Sequence, residues 1–221
     1  MAAHRQTPGL AYSGPMVARH ETHPSSAAAA GPAEFRAAVE TMRRASLRPE
    51  VFCEEMPAPQ RIAPWSSALS ADVTVDDEDL GTGRLILLHD PAGNDAWDGT
   101  YRCVAYARAD LDPELGADPM LAAVGWSWLT EALEAHGAGY HAASGTVTCV
   151  NTESFGGMAD EAGTAQVEIR ASWTPDVGED DALDMTAHVE AWGELLCTAV
   201  GLPPVPEGVI AIPSRRGQRG S

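Results

Sequence analysis

One eight-residue stretch alternates polar and apolar side chains without a break: Gln166-Val167-Glu168-Ile169-Arg170-Ala171-Ser172-Trp173. Successive side chains of a β-strand point to opposite faces, so this pattern predicts a strand with one buried face. The polar face is predicted to meet solvent or an interface. The apolar face needs a second layer of structure to cover it. The stretch therefore predicts a β-sheet with helices packed against it.

Four other segments carry strand signals. These segments are residues 69–75, 84–89, 100–108 and 146–150. Polar and apolar residues alternate in the first segment and again in the last two. The second segment contains the unbroken apolar run Leu85-Ile86-Leu87-Leu88, which is typical of a central strand. The first three are predicted to form an antiparallel meander.

Turn signals separate these strands. The acidic residues 76–79 and Gly81-Thr82-Gly83 predict the first turn, and residues 90–95 predict the second. Residues 49–64 contain four prolines, each of which removes a hydrogen-bond donor and restricts the residue before it. That segment is predicted to be a connector without regular structure.

Three segments carry helix signals. Apolar residues from Phe35 to Ala45 recur at spacings of three and four. A second helix is predicted from the N-cap pair Asp118-Pro119 to His136-Gly137, and a third over residues 185–199, ended by Gly201. The predicted order is α-βββ-α-ββ-α, an α+β fold with a five-stranded, mainly antiparallel sheet and packed helices. This order resembles that of the type III secretion chaperones and related small homodimeric domains.

The chain is predicted to hold a single folded domain between two tails. Residues 1–32 mix Pro, Gly, Ser and Ala without periodicity and are predicted to be a disordered N-terminal tail. Residues 33–213 are predicted to form the α+β domain. Residues 214–221, with three arginines, are predicted to be a basic C-terminal tail.

The charge restricts the classes of partner. The 32 acidic residues face 14 arginines and no lysine, for a formal net charge of −18. Such a surface repels phosphate, so direct nucleic-acid binding is not expected. No apolar run approaches the roughly 20 residues that span a bilayer, and the N-terminus lacks the pattern of a signal peptide. The sequence therefore predicts a cytoplasmic protein without membrane contact.

The cysteines predict neither a zinc site nor a redox motif. Cys53, Cys103, Cys149 and Cys197 lie far apart in sequence, without the close pairs that such sites use. They are predicted to be small buried hydrophobic residues. Cys53 is the best candidate for a reactive thiol, although its acidic neighbours oppose thiolate formation. No metal, cofactor or catalytic residue is predicted.

Four residues are candidates for ligand or partner binding: Arg61, His89, Arg102 and Trp126. His89 precedes Asp90 at the end of the apolar strand, and a histidine beside a carboxylate can act as a base. Arg61 and Arg102 are two of few basic residues and suit an acidic ligand. Trp126 widens the apolar stripe of the second helix and is predicted to lie at a groove or dimer surface.

Four segments stand out: Val51-Phe52-Cys53-Glu54-Glu55, residues 59–65, Asp98-Gly99-Thr100-Tyr101-Arg102-Cys103-Val104 and residues 149–157. Together they resemble those of an actinobacterial domain-of-unknown-function family, number three thousand. The resemblance covers roughly residues 33–213, and an Ala-rich, Lys-free composition agrees with such an origin. It implies no activity, cofactor or site.

Two functional hypotheses rest on particular residues, and a third, a regulator of nucleic-acid enzymes that acts by charge mimicry, rests on the acidity alone. The first is a non-catalytic, acidic module that binds a protein partner or forms a homodimer, in the manner of a chaperone or adaptor. The alternative is a small-molecule binder or enzyme with a pocket between helix and sheet that uses His89, Arg61 and Arg102.

Overall fold

The computed structural model describes residues 31–178 and 182–204. Within these ranges it shows an α+β fold with an antiparallel sheet, four α-helices and one short 3-10 helix, Gly156–Met158. The elements follow in the order α1 (Ala33–Met42), β1 (Val51–Met56), β2 (Trp65–Val75), β3 (Glu78–Asn94), β4 (Gly99–Leu111), α2 (Pro113–Gly116), α3 (Leu121–Ala135), β5 (Tyr140–Thr152), β6 (Thr164–Pro175) and α4 (Thr186–Ala199).

The sheet has the strand order β1-β2-β3-β4-β6-β5, and all its neighbours are antiparallel. The first four strands form a meander. The chain then passes through α2 and α3 and returns as the β5–β6 hairpin, in which β6 pairs with β4. Strands β1 and β5 are consequently the two edges of the sheet.

The predicted count of five strands is wrong, because residues 51–56 form a sixth strand inside the predicted connector. Strand β1 pairs with β2 from Val51↔Val73 to Met56↔Ala68. Pro49 and Pro57 flank it instead of interrupting it, which an edge strand tolerates. The observed order is therefore α-ββββ-αα-ββ-α, with a short α2 that the sequence pattern did not reveal.

The predicted turn at Gly81-Thr82-Gly83 is also wrong. The chain reverses at Asp76 and Asp77, whose φ angles of 52° and 68° lie in the left-handed region. Strand β3 begins at Glu78 and runs through both glycines. A Cβ on Gly83 would lie 2.6 Å from Leu196 Cδ2, so this glycine is required by the close approach of α4.

Helices cover one face of the sheet. The side chains that alternate inward from β2, β3, β4 and β6 join α1, α3 and α4 in one hydrophobic core, which includes the fully buried Trp173 and Trp192. Gly137 and Gly201 follow α3 and α4 with positive φ, as the sequence predicts for their C-termini. Helix α3 begins two residues later than predicted, after Asp118 Oδ1 accepts from the Met120 amide.

The predicted tail residues 1–30 and 214–221 lie outside the described ranges.

The four cysteines differ in burial. Cys103 and Cys197 are buried as predicted, Cys53 is half-buried, and Cys149 is exposed, contrary to prediction. Strand β5 is an edge, so one side of Cys149 has no covering layer. None of the helices in the described part of the chain has the length and apolar character needed to cross a bilayer.

Substituting Gly83→Ala should destabilise the fold. The added methyl group meets Leu196 Cδ2 at 2.6 Å and Trp192 Cζ2 at 3.0 Å, both on buried side chains. Overpacking of this kind lowers the free energy of unfolding by about 1–3 kcal/mol, measurable by urea denaturation. Gly157→Ala is the control, because nothing lies within 4 Å of its Cβ position, and it should change stability by less than about 0.5 kcal/mol. Equal stability of both variants would contradict this packing.

Candidate functional site

His89 and Arg102 lie on opposite faces of the sheet. The β3–β4 register pairs His89 with Tyr101 and Leu88 with Arg102. Successive side chains of a strand alternate between faces, so His89 lies on the helix side and Arg102 on the uncovered side. We call the uncovered side the open face. The two residues therefore cannot line one pocket between helix and sheet.

Arg102 is a buried cation that ties three strands together. Only 7% of its surface is exposed, and its guanidinium donates to acceptors on β5 and β6. No carboxylate in the described residues forms an ion pair with it. Burial lowers the pKa of Arg102. The acceptors are Ala142 O at 2.9 Å, Thr174 Oγ1 at 3.0 Å, Ser144 Oγ at 3.2 Å, Ser172 O at 3.3 Å and Ser172 Oγ at 2.7 Å.

His89 lies in an aromatic stack under the start of α1. Its ring stacks between Phe35, at 5.8 Å between ring centroids, and Tyr101, at 4.1 Å. The Nδ1 atom donates to Thr100 O at 3.0 Å, which leaves Nε2 facing Glu34 Oε1 at 3.8 Å. Nε2 and the Tyr101 hydroxyl are both buried, and neither has a hydrogen-bond partner among the described residues. Burial, with a smaller contribution from Glu34, raises the pKa of Tyr101 to about 12.

The other two candidates lie elsewhere. Arg61 is exposed in the connector between β1 and β2, with a positive φ of 71°. Trp126 is half-buried on α3 and packs over β5, where a Cβ on Gly145 would lie 2.6 Å from its Cζ3 atom. The structure thus places the four predicted residues in four separate environments.

The remaining histidines of the described chain also lie apart. His136 Nδ1 faces Glu190 Oε2 at 3.7 Å, and His188 Nδ1 accepts from the Trp173 indole at 3.2 Å. His141 donates to Asp176 Oδ1 at 2.7 Å and Asp98 O at 3.0 Å, and these two bonds raise its pKa. Within residues 31–178 and 182–204, no three His, Cys, Asp or Glu side chains gather closely enough to hold a metal ion.

The open face carries four of the nine arginines of residues 33–213. Arg84 and Arg170 lie on either side of Tyr106 in one cross-strand row, and Arg108 lies in the next row. The Arg170 guanidinium is 5.7 Å from the Tyr106 ring centre and pairs with Glu168, which also accepts from the Tyr106 hydroxyl. The polar face predicted from residues 166–172 is thus partly occupied by an internal network.

Cys53 lines a cavity of about 240 Å³ between α1, β1 and α4. Its floor is apolar, with Met42, Leu69 and Val189, and the ion-paired Arg43 and Glu55 lie at its edge. Burial and the neighbouring Glu54 raise the pKa of the Cys53 thiol. The thiolate is therefore disfavoured there, in agreement with the acidic neighbours seen in the sequence.

Several large apolar side chains are exposed on β5 and on the segments next to it. Of the nine large hydrophobic side chains exposed in the described residues, six lie on β5 or on neighbouring segments. Sequence reasoning missed this surface, because exposed apolar residues look like core residues until burial is known. We call it the β5 patch: Leu115, Met120, Val124, Val150, Phe155 and Met158, with exposures of 57%, 59%, 41%, 46%, 76% and 54%.

Replacing Arg102 should destabilise the sheet. In Arg102→Met, the buried Thr174 hydroxyl and the Ala142 and Ser172 carbonyls lose their donor, at an expected cost of about 2–4 kcal/mol in unfolding free energy. Urea denaturation measures this cost. Arg84→Met on the same face is the control and should change stability by less than about 0.5 kcal/mol. If the free energy of unfolding of Arg102→Met equalled that of the control, the hydrogen bonds of Arg102 would not stabilise the sheet.

Acidification should destabilise the protein through His188. Burial lowers the pKa of His188 to about 4, below its ordinary value of 6.5, so the unfolded chain binds the proton first. Stability from this group is present above pH 6.5 and is lost as pH falls towards 4, by at most about 3 kcal/mol. His188→Gln, which does not titrate, should flatten this part of the stability profile measured by urea denaturation. An unchanged slope would contradict the assignment.

Comparison with known proteins identifies a family. The family model DUF3000, described as a protein of unknown function, matches residues 31–210. Neither the curated proteins nor the solved structures gave a significant match. The matched region contains every helix and strand described above and all four candidate residues. Because the match extends over most of the sequence, the chain belongs to the DUF3000 family.

Proposed function

We propose that this protein is a non-catalytic module that binds a protein chain, either a partner or a second copy. The β5 patch carries this proposal. Large apolar side chains that remain exposed together on a folded domain mark interaction sites, because their burial by a partner is favourable. Phe155 and Met158 are of the flexible or aromatic types that are enriched at such interfaces.

The hydrogen bonds of Arg102 and the positions of His89 and Arg102 support the same function. The Arg102 guanidinium makes five hydrogen bonds within the sheet, so its role is to position strands. Because His89 and Arg102 lie on opposite faces of the sheet, they cannot line the shared pocket that the small-molecule alternative requires. No second candidate function has comparable support from the arrangement of side chains.

The composition of the chain supports inferences about the compartment and the organism in which the protein acts. With a formal net charge of −18, we infer that the protein acts in the cytoplasm and does not bind nucleic acid by direct charge. The Lys-free, Ala-rich composition supports an origin in a GC-rich organism such as an actinobacterium. These inferences accompany the main proposal, and protein binding does not depend on them.

Polar substitution of the β5 patch should abolish partner capture. The full-length protein is expressed in its native host, cross-linked and purified, and the recovered chains are quantified by mass spectrometry. Phe155→Ser with Met158→Ser should reduce a stoichiometric partner chain, or the cross-linked dimer, by at least about 10-fold, because hot-spot truncations cost about 2 kcal/mol or more.

The matched control is Phe52→Ser with Ile62→Ser. These residues are 65% and 58% exposed, and they lie on the opposite edge strand and in the connector. The control should retain the captured chain at the wild-type level. Equal recovery in both double variants, or no stoichiometric chain in any sample, would contradict the proposed function.

A further inference from the structure

We propose that the outer edge of β5 binds an extended segment of a partner protein as an additional antiparallel or parallel strand. The segment has apolar side chains at alternate positions and Lys or Arg at its ends. This inference rests on the proposed function and specifies its surface, its geometry and the chemistry of its partner. Three observations carry it: the free edge, the apolar surface beside that edge, and the charge around it.

The first observation is the edge itself. Strand β5 has 13 residues, which at about 3.4 Å per residue span more than 40 Å, and within the described residues it pairs only with β6. Its sequence contains no Pro, Lys, Arg, Asp or Glu. Soluble proteins usually protect an edge with charges, prolines or short length. Beyond the bulge between His141 and Ser144, the main chain from Ser144 to Thr152 carries none of these protections and is therefore suited to pairing.

The other edge of the sheet shows the usual protection. Strand β1 has only six residues, contains Glu54 and Glu55, and is flanked by Pro49 and Pro57. Arg43 pairs with Glu55 beside it. The two edges of one sheet thus differ in length, charge and flanking prolines, which are features that suppress strand pairing.

The second observation is the position of the β5 patch relative to this edge. Helix α3 crosses β5, since a Cβ on Gly125 would lie 3.2 Å from Val147 Cγ1. Helix α2 lies against β6 near the end of β5, since a Cβ on Gly116 would clash with Ala165 Cβ and would lie 3.9 Å from Asn151 Oδ1. The exposed Leu115, Met120 and Val124 belong to these two helices or to the turn between them, and Val150 of β5 lies on the open face. An added strand would therefore have exposed apolar side chains of α2 and α3 near its helix side and the single side chain of Val150 near its open side.

The third observation distinguishes a partner from a second copy. Residues 109–169, which include α2, α3 and β5, contain ten acidic residues and no Arg or Lys. A second copy carries the same excess of negative charge, so pairing β5 with β5 of a second copy is opposed by like-charge repulsion. A segment with basic ends gains attraction from the same charges. The charge distribution therefore favours a basic partner over self-association.

The experiment uses the full-length protein and three synthetic peptides. The first peptide has three Val-Thr repeats between paired lysines, the second has Pro in place of the central Val, and the third has Glu in place of every Lys. Fluorescence anisotropy measures affinity, and amide hydrogen exchange locates the bound peptide. The first peptide should bind and protect β5 amides, and the second should bind at least about 10-fold more weakly because it lacks a strand donor.

A charge substitution on the strand tests the site. Thr148 is exposed on β5 and faces the open side. Thr148→Lys should weaken the lysine peptide several-fold, and Thr148→Glu should not. Phe52→Lys, which adds the same charge to the open face of β1, is the matched control and should bind like the wild type.

The outcomes separate this inference from the proposed function. Equal binding of the first two peptides, unprotected β5 amides, or insensitivity to Thr148→Lys would overturn strand addition, even where the β5 patch still captures a protein. A cross-linked dimer joined through β5 would overturn the basic partner and leave the module function in place. Failure of the patch variants to change capture would remove the proposed function itself.

Discussion

The close seating of α4 on the centre of the sheet is the constraint on which the fold depends. Gly81 and Gly83 of β3 offer no side chain there, and Val200 and Leu196 occupy the space that a Cβ would take. The neighbouring strand β4 presents only alanines on this side beyond Cys103: Ala105, Ala107 and Ala109. The small residues let the bulky Trp192 approach the strands and donate to Tyr106 O at 3.4 Å. Large side chains of the helix thus fill the space that small strand residues provide.

Covering the sheet on one side has consequences for the other side. Helices α1, α3 and α4 share the core, so the open face must satisfy its own polar groups. Arg102 of β4 satisfies polar groups of β5 and β6 by donating hydrogen bonds to them. One acceptor is the carbonyl of Ala142, whose φ of 49° marks the bulge between His141 and Ser144. The position of β5 at the sheet edge thus depends on a buried cation as well as on strand pairing. Further along the strand, no such network covers the outer edge in the described residues.

The sequence predicted the parts of the fold that depend on local patterns. The alternation in residues 166–173 and the C-terminal glycines Gly137 and Gly201 correspond to β6, α3 and α4. Strand β1 was missed because prolines dominate its surroundings, and an edge strand lacks a strong burial pattern. Gly81 and Gly83 were interpreted as a turn because their actual cause, contact with α4, lies more than 100 residues away in sequence.

The candidate site was less predictable than the fold. His89 and Arg102 were predicted to bind a ligand or partner, and both are buried and polar, but sequence spacing does not show that they face opposite sides. The β5 patch consists of residues from four segments whose exposure becomes known only from the folded chain. One signal was visible in the sequence: neither Arg nor Lys occurs between Arg108 and Arg170, the segment that contains β5.

The central claim is that β5 offers a free edge for another chain. Amide hydrogen exchange of the free, full-length protein, resolved residue by residue, tests it most directly. The account predicts that the β5 amides bonded to β6 exchange slowly, while the alternate amides of β5 that face outward exchange as fast as exposed loops. Slow exchange of every β5 amide in the isolated protein would show that the edge is already covered and would contradict the account.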